Sequence, residues 1–418
     1  MQTLQTRQVV GTSRPLLGKA RAARSLRTVT RVAAPIDPSV LTSTSTSRDA
    51  NGFAVKPDGT FDLSASPPFS LSDIRAAIPD KCWQRNTVRS FAHLALDVGI
   101  VAGLAVAAYS VNSWMVWPLY WLAQGTMFWA LFVVGHDCGH QSFSPSRTIN
   151  DFVGNIVHAS IMVPYHGWRV SHRKHHGNHG HVENDESWYP TTKSIYDKMD
   201  GVAKVGRLKF PWPLFAYPFY LFNRSPGKDG SHFDPECDLF VPSEKNMVLT
   251  SDAFLVAMAG VLVAATAKLG FLAMFNLYLI PYWVFVMWLD TVTYLQHHGS
   301  SDPTEKLPWY RGEEWSYLRG GLTCIDRDYG IFHNVTHSIG THVVHHLFPQ
   351  IPHYHLQEAT KAVKPVLGPY YRDVVKCAPH GVPLHLAEPL ARSFGEDHYV
   401  ADEGDVVFYQ KDPDFASK

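Results

Sequence analysis

Cysteine is scarce: Cys82, Cys138, Cys237, Cys324 and Cys377 are the only five in 418 residues, and no two stand at metal-ligand spacing. An odd, scattered set of this kind excludes a disulfide framework or zinc ribbon and points to a reducing compartment. Net charge is also missing, with 37 Lys and Arg against 37 Asp and Glu. That balance removes any general electrostatic case for nucleic acid as a partner. Acidic residues are absent before Asp37, while the same 36 residues hold six Arg, one Lys and many Ser, Thr and Ala. No apolar core long enough for a secretory signal accompanies them, so the composition is that of a transit peptide. The stretch Arg31–Ala34 is the expected processing region, and residues 1–66 are read as transit peptide and leader; a disordered tail has similar composition.

Charge is then absent from two further stretches. Between Phe91 and Val111 only His93 and Asp97 are charged or histidine, and between Trp114 and Val134 there is none. Each run is close to the roughly 20 residues that a helix needs to cross hydrocarbon. Asn112 and Ser113 leave room only for a tight turn between them. A second apolar block from Ala253 to Leu289 breaks near Lys268 and Gly270. Residues 67–418 are therefore expected to form an all-α integral membrane domain. Four transmembrane helices, about 91–111, 114–134, 253–269 and 271–291, would pair in two hairpins under a helical stromal or cytosolic cap. Buried helices of a soluble core would show a polar stripe that these runs lack. Ser72 is expected to cap a short helix carrying Ile74, Ala77 and Ile78 before Pro79, and Asp151–Pro164 and Phe210–Phe222 suit interfacial segments. An even number of crossings puts all long extramembrane regions on one side, and the hairpin tips carry only Lys268, so that side is the cytosol or stroma.

What is abundant is histidine, 23 residues, and tryptophan, 12. His136 and His140 stand at i, i+4 where the second run ends. His172, His175 and His176 stand at i, i+3, i+4, and His342, His345 and His346 repeat those offsets. On a helix such spacing gathers imidazoles to one side. Neutral imidazole suits iron, copper, nickel and zinc alike. Eight nitrogen donors exceed what one tetrahedral ion uses, but suit two ions with about four protein ligands each. Soluble di-iron bundles rely on carboxylates; these clusters hold almost none, which implies an all-nitrogen site. Cys138 faces away from its flanking histidines on a helix and is left out.

The strings "HDCGH", "HRKHH" and "HVVHH" resemble the three histidine boxes of membrane fatty-acid desaturases. The longer strings "VPYHGWRVSHRKHHGNHGHVENDESWYP" (163–190), "LPWYRGEEWSYLRGGLTCIDRDYGIF" (307–332) and "GTHVVHHLFPQIPHYHL" (340–356) are similar to the omega-3 branch found in chloroplasts of plants and green algae. The resemblance covers roughly residues 67–410. It implies two iron ions, O₂ as co-substrate, and omega-3 (delta-15 type) desaturation of dienoic acyl chains such as linoleate in chloroplast membrane glycerolipids. It implies reduced ferredoxin as electron donor, with cytochrome b5 as the alternative, and an envelope or thylakoid location with the site facing the stroma; the endoplasmic reticulum is the alternative. A desaturase or hydroxylase of other regiochemistry uses the same iron chemistry. A histidine-rich metal transporter is the competing class, although it would place ligands near the bilayer midplane.

The family pattern adds a metal-linked histidine after the fourth crossing, for which His297 is favoured over His298; a structural role is open to both. Asp137, Asp185 and His337 are candidates to orient ligand rings, with Glu186 as a further one; the carboxylates have Arg169 and Arg173 as alternative partners. His337 is also open as a ligand or an ordinary loop residue. His158, His166, His179, His181, His353 and His355 are read as interfacial hydrogen-bonding residues.

Overall fold

The computed structural model describes residues 47–416, so the expected processing region lies outside the described residues. The described chain is mostly helical. Its only sheets are two antiparallel strand pairs, Ser47–Arg48 with Ala54–Val55 and Trp309–Tyr310 with Val406–Val407.

Packed structure begins before Pro67, where the sequence placed its onset. Phe53 and Phe61 pack their rings on Tyr370, whose hydroxyl donates to the Ala65 carbonyl at 2.7 Å. The first helix, Leu71–Ala77, is capped by Ser70 instead of Ser72. Ser70 and Asp73 form a reciprocal capping box, which satisfies two otherwise unpaired amides, and Ile74 is fully buried.

Three of the described helices are long and apolar enough to cross a membrane: Thr87–Val111, Pro242–Leu269 and Phe271–His297. Each extends beyond the apolar run read from the sequence, because capped or polar turns at one end lie outside that run. Asn86 caps the first of them, and Asn112 ends it in the left-handed region that asparagine tolerates. The Pro242–Leu269 span ends at Gly270, whose φ of +87° a side chain would resist. The next span contains a π-helical stretch, Phe275–Leu279, just before Pro281, which has no N–H to donate.

Val116–Gly139, at 24 residues, is of similar length and differs from those three in its burial. From Gln124 to Cys138 every residue is buried. It is the central element, packed against Thr87–Val111, Arg147–Ser160 and Ile280–His297. Trp129, Phe132, Phe285 and Leu295 lie in this core, enclosed by neighbouring side chains and held by packing contacts. Gly135 permits a close approach: a Cβ there would lie 2.1 Å from the His158 ring, whose Nε2 meets the Phe132 carbonyl at 3.1 Å. A second core, built from Leu71–Ala77, Val343–Leu347 and His353–Leu367, forms the cap.

Candidate metal centre and cavity

His136 occupies the last turn of Val116–Gly139 and His140 follows at its C-cap. The second box lies in Tyr165–Asn178, and the third in the one-turn helix Val343–Leu347, with His342 at its N-cap. These elements bring two groups of imidazoles together. His136, His140, His172, His176 and His345 each place one donor within 4.8 Å of the others, and so do His297, His342, His346 and Cys324. His175 joins the second group through His297.

Each three-histidine box is thus divided. Residues i and i+4 serve one group and i+3 turns to the other, in opposite senses for the two boxes. His172 and His176 go to the first group with His345, while His342 and His346 go to the second with His175. The sequence showed three rings on one side; it did not show this exchange.

The spacing within each group is that of ligands. The Nε2 atoms of His172 and His176, of His175 and His297, and of His342 and His297 are each 3.2 Å apart. Two nitrogens held about 2.1 Å from one ion lie roughly 3.0 Å apart at a right angle and roughly 3.4 Å apart at a tetrahedral one. Several buried ring nitrogens here have no hydrogen-bond partner, among them His140 Nε2, His345 Nε2 and both nitrogens of His346. Each such group costs about 1–3 kcal/mol unless something binds it. Burial also pushes the imidazoles of His140, His172, His176, His342, His345 and His346 well below the usual histidine range, which keeps them neutral and available as donors. The residues present therefore fit two cations.

The outer contacts are specific. Asp185 is fully buried and binds His175 Nδ1 at 2.6 Å and His179 Nδ1 at 3.2 Å. Burial would raise its carboxyl, but the two histidines outweigh that and hold it well below the usual range. His179 meets Thr323 Oγ1 through its other nitrogen at 3.1 Å, so both of its nitrogens have partners. Asp137 binds His353 Nδ1 at 2.8 Å and stands 3.8 Å from His136 Nδ1. Glu186 touches no ligand ring; it pairs with Arg224 and Lys228, while Arg173 pairs with Glu244. His297 lies in the site, whereas His298 turns away to the Tyr294 carbonyl and the Tyr409 hydroxyl. His337 binds Asp97 and does not meet the two groups. Cys138 is buried in the apolar core.

Sequence reading missed two residues that set the geometry, Asp326 and Arg327. Asp326 Oδ1 accepts from the backbone amides of His342 and Val343 at 2.6 and 2.8 Å, and its Oδ2 accepts from the Tyr371 hydroxyl at 2.8 Å. It caps the third box from 16 residues away. Arg327 donates to the carbonyls of Leu295, His298 and Gly299, closing the helix end that carries His297. Cys324 was likewise unforeseen near the second group; burial pushes its thiol well above the usual range, so it stays neutral.

A cavity of about 960 Å³ runs beside both groups. His136, His172, His175, His297 and His342 line its inner end, together with Trp129, Phe132, Trp168, Leu289 and Ile339. Trp168 stacks on His172 with ring centroids 4.6 Å apart. Asp200, Arg207 and Asn223 add polar groups to the lining, and Val202, Phe210, Trp212, Phe219 and Phe222 are exposed nearby in sequence.

A helical protein with membrane-length apolar helices and a buried, histidine-lined site for two cations, flanked by an apolar cavity, is the class these features define. The chain belongs to the fatty acid desaturase family, whose model matches residues 112–376. A second model, described as a domain of unknown function (DUF3474), matches residues 5–106. Over 353 residues the chain is 61% identical to an omega-3 fatty acid desaturase, chloroplastic, of Ricinus communis, covering 84% of this chain and 76% of that protein. It is equally 61% identical to an sn-2 acyl-lipid omega-3 desaturase (ferredoxin), chloroplastic, of Arabidopsis thaliana, covering 84% and 78%. An endoplasmic reticulum omega-3 desaturase of Vigna radiata var. radiata is 58% identical over 87% of this chain and 94% of its own length.

Proposed function

We propose that this chain is an O₂-dependent desaturase that introduces the omega-3 double bond into dienoic acyl chains, such as linoleate, of chloroplast membrane glycerolipids. The observation that carries the reading is the apolar cavity ending against histidines of both groups. Such a cavity fits a hydrocarbon chain and brings one carbon pair beside the cations. The names of the Ricinus and Arabidopsis relatives support the omega-3 position, the lipid-linked substrate, ferredoxin and the plastid.

His136, His140, His172, His176 and His345 would hold one iron, and His175, His297, His342 and His346 the other. Bound iron supplies the oxidising power that an unactivated methylene requires, which side-chain acid–base chemistry lacks. In the net reaction one –CH₂–CH₂– unit, O₂, two electrons and two protons give –CH=CH– and two waters. The protein's own residues position and exclude. Trp129, Phe132 and Trp168 wall the chain against water, and Asp185 fixes the His175 ring. Asp290, buried on the cavity wall, accepts from the Tyr217 amide at 3.0 Å and so holds the segment that forms the opposite wall.

The leader composition supports plastid import, and four crossings in two hairpins would turn the cap toward the stroma. Exposed Phe210, Trp212, Phe219 and Phe222 would rest in the lipid interface, giving acyl chains a route into the cavity. Iron-loaded protein in liposomes containing linoleoyl lipid, supplied with reduced ferredoxin, should yield alpha-linolenoyl lipid by gas chromatography. Absence of product with both ferredoxin and cytochrome b5 would overturn the reading, and a hydroxylated or differently placed product would overturn its regiochemistry.

A further inference from the structure

A third group of imidazoles stands apart from these nine. His93 and Asp97 are one turn apart on Thr87–Val111, His337 lies in the bend before the third box, and His353 opens the His353–Leu367 helix. One donor nitrogen of each of the three rings lies within 4.8 Å of the others. Ring centroids are 4.6 Å apart for His337 and His353, 4.9 Å for His93 and His353, and 5.7 Å for His93 and His337.

The outer nitrogens carry the argument. Asp97 Oδ2 binds His337 Nε2 at 2.6 Å, and Asp137 Oδ2 binds His353 Nδ1 at 2.8 Å. A carboxylate on one ring nitrogen fixes the tautomer and leaves the other nitrogen bare, the arrangement that metal-bound histidines adopt. The bare nitrogen of His353, Nε2, is buried and has no partner. His93 makes no hydrogen bond through its ring among the described residues and is only half-buried, which leaves an ion a way in. His337 and Ser338 both hold positive φ, +54° and +56°. Two successive side chains in that region cost about 1–3 kcal/mol each, a strain that collects at functional positions.

We propose that His93, His337 and His353 form a third cation site, for a divalent ion of the zinc class. Three neutral nitrogens with an open fourth position suit zinc, and a redox-inert ion suits a site that does not line the cavity. Asp97 and Asp137 orient its rings. The bound ion ties the foot of the first span to the segment entering the third box and, through Asp137, to the helix carrying His136.

The test uses the full-length, iron-loaded protein in detergent, equilibrated with chelator-buffered Zn²⁺, with iron and zinc per chain read by mass spectrometry. One zinc should be retained beside unchanged iron, with an imidazole-type signature free of sulfur in zinc X-ray absorption. His93→Gln should keep its iron and lose at least tenfold in zinc affinity. His93→Cys should recover zinc with one sulfur in the absorption signature, a result that a misfolded chain cannot mimic. No zinc retained by the natural chain, zinc entering only as iron leaves, or full zinc in His93→Gln each overturns the proposal.

Discussion

Asp185 has no exposed surface and has both oxygens on imidazoles, with the Glu186 amide also donating to Oδ1 at 2.6 Å, so its charge is shared between His175, His179 and the backbone that holds it in place. Asp185→Asn keeps the shape but removes the charge that sets the His175 tautomer. It should lower iron affinity about 10–100-fold, read as iron per chain after dialysis against a chelator, with activity falling in parallel. The neutral imidazoles give a second expectation. In the unfolded chain histidines titrate near 6.5, whereas burial holds His140, His172, His176, His342, His345 and His346 below that in the fold. Below pH 6.5 the unfolded chain therefore binds more protons than the folded one, and stability falls as pH drops, by up to about 1.4 kcal/mol per unit for each group. Metal-stripped protein should melt progressively lower from pH 7.5 to 5.5; a flat profile would show that the rings are not held neutral. At this scale the box histidines were legible because their spacing is local. Asp326, Arg327, Asp97 and Thr323 were not, since each acts on a residue distant in sequence.

The third box illustrates how much an element depends on its surroundings. Val343–Leu347 is a single turn, far short of the length at which a helix persists alone. Its first amides are satisfied by Asp326, which Tyr371 in turn holds. Asp326→Ala should cost about 2–4 kcal/mol, by the loss of two capping bonds and a buried hydroxyl left without its acceptor, and should deplete the iron held by His342 and His346 first. Tyr371→Phe, removing one bond, should cost about 1 kcal/mol. Thermal unfolding with iron analysis separates the two. The helix bearing the first box depends on close approach instead: Gly135→Ala drives a methyl into the His158 ring and should cost about 1–3 kcal/mol, measured the same way. Uninterrupted apolar runs announced the long helices but not their ends. The extensions at Thr87, Lys245 and His297 are polar or capped turns, and the one-turn helix at the third box has no periodic signature at all.

The molecule as a whole exposes an apolar surface that water would not tolerate. Leu96, Val106, Val256, Val263 and Leu272 are each 61–73% exposed, all on the membrane-length helices. Thr87–Val111, at 25 residues, is about 37 Å long, enough for the roughly 30 Å of hydrocarbon with some tilt. Val116–Gly139 departs from that pattern because its inner half is enclosed by neighbours, so its side chains answer to packing and the histidine site more than to lipid. The two cation groups draw on boxes 1 and 2, which lie between the two apolar blocks in the sequence, and on His297 and box 3, which follow the second block. They can meet only if those regions share one face of the bilayer, which requires an even number of crossings between them. Cysteines substituted at Ser113 and Lys268, in a cysteine-free background that retains activity, should react with an impermeant maleimide from one side of sealed vesicles. Glu183→Cys, beside the second box and partly exposed, should react only from the other. Labelling of Ser113→Cys and Glu183→Cys from the same side would mean that Val116–Gly139 does not cross, and that the first apolar block is not a two-crossing hairpin.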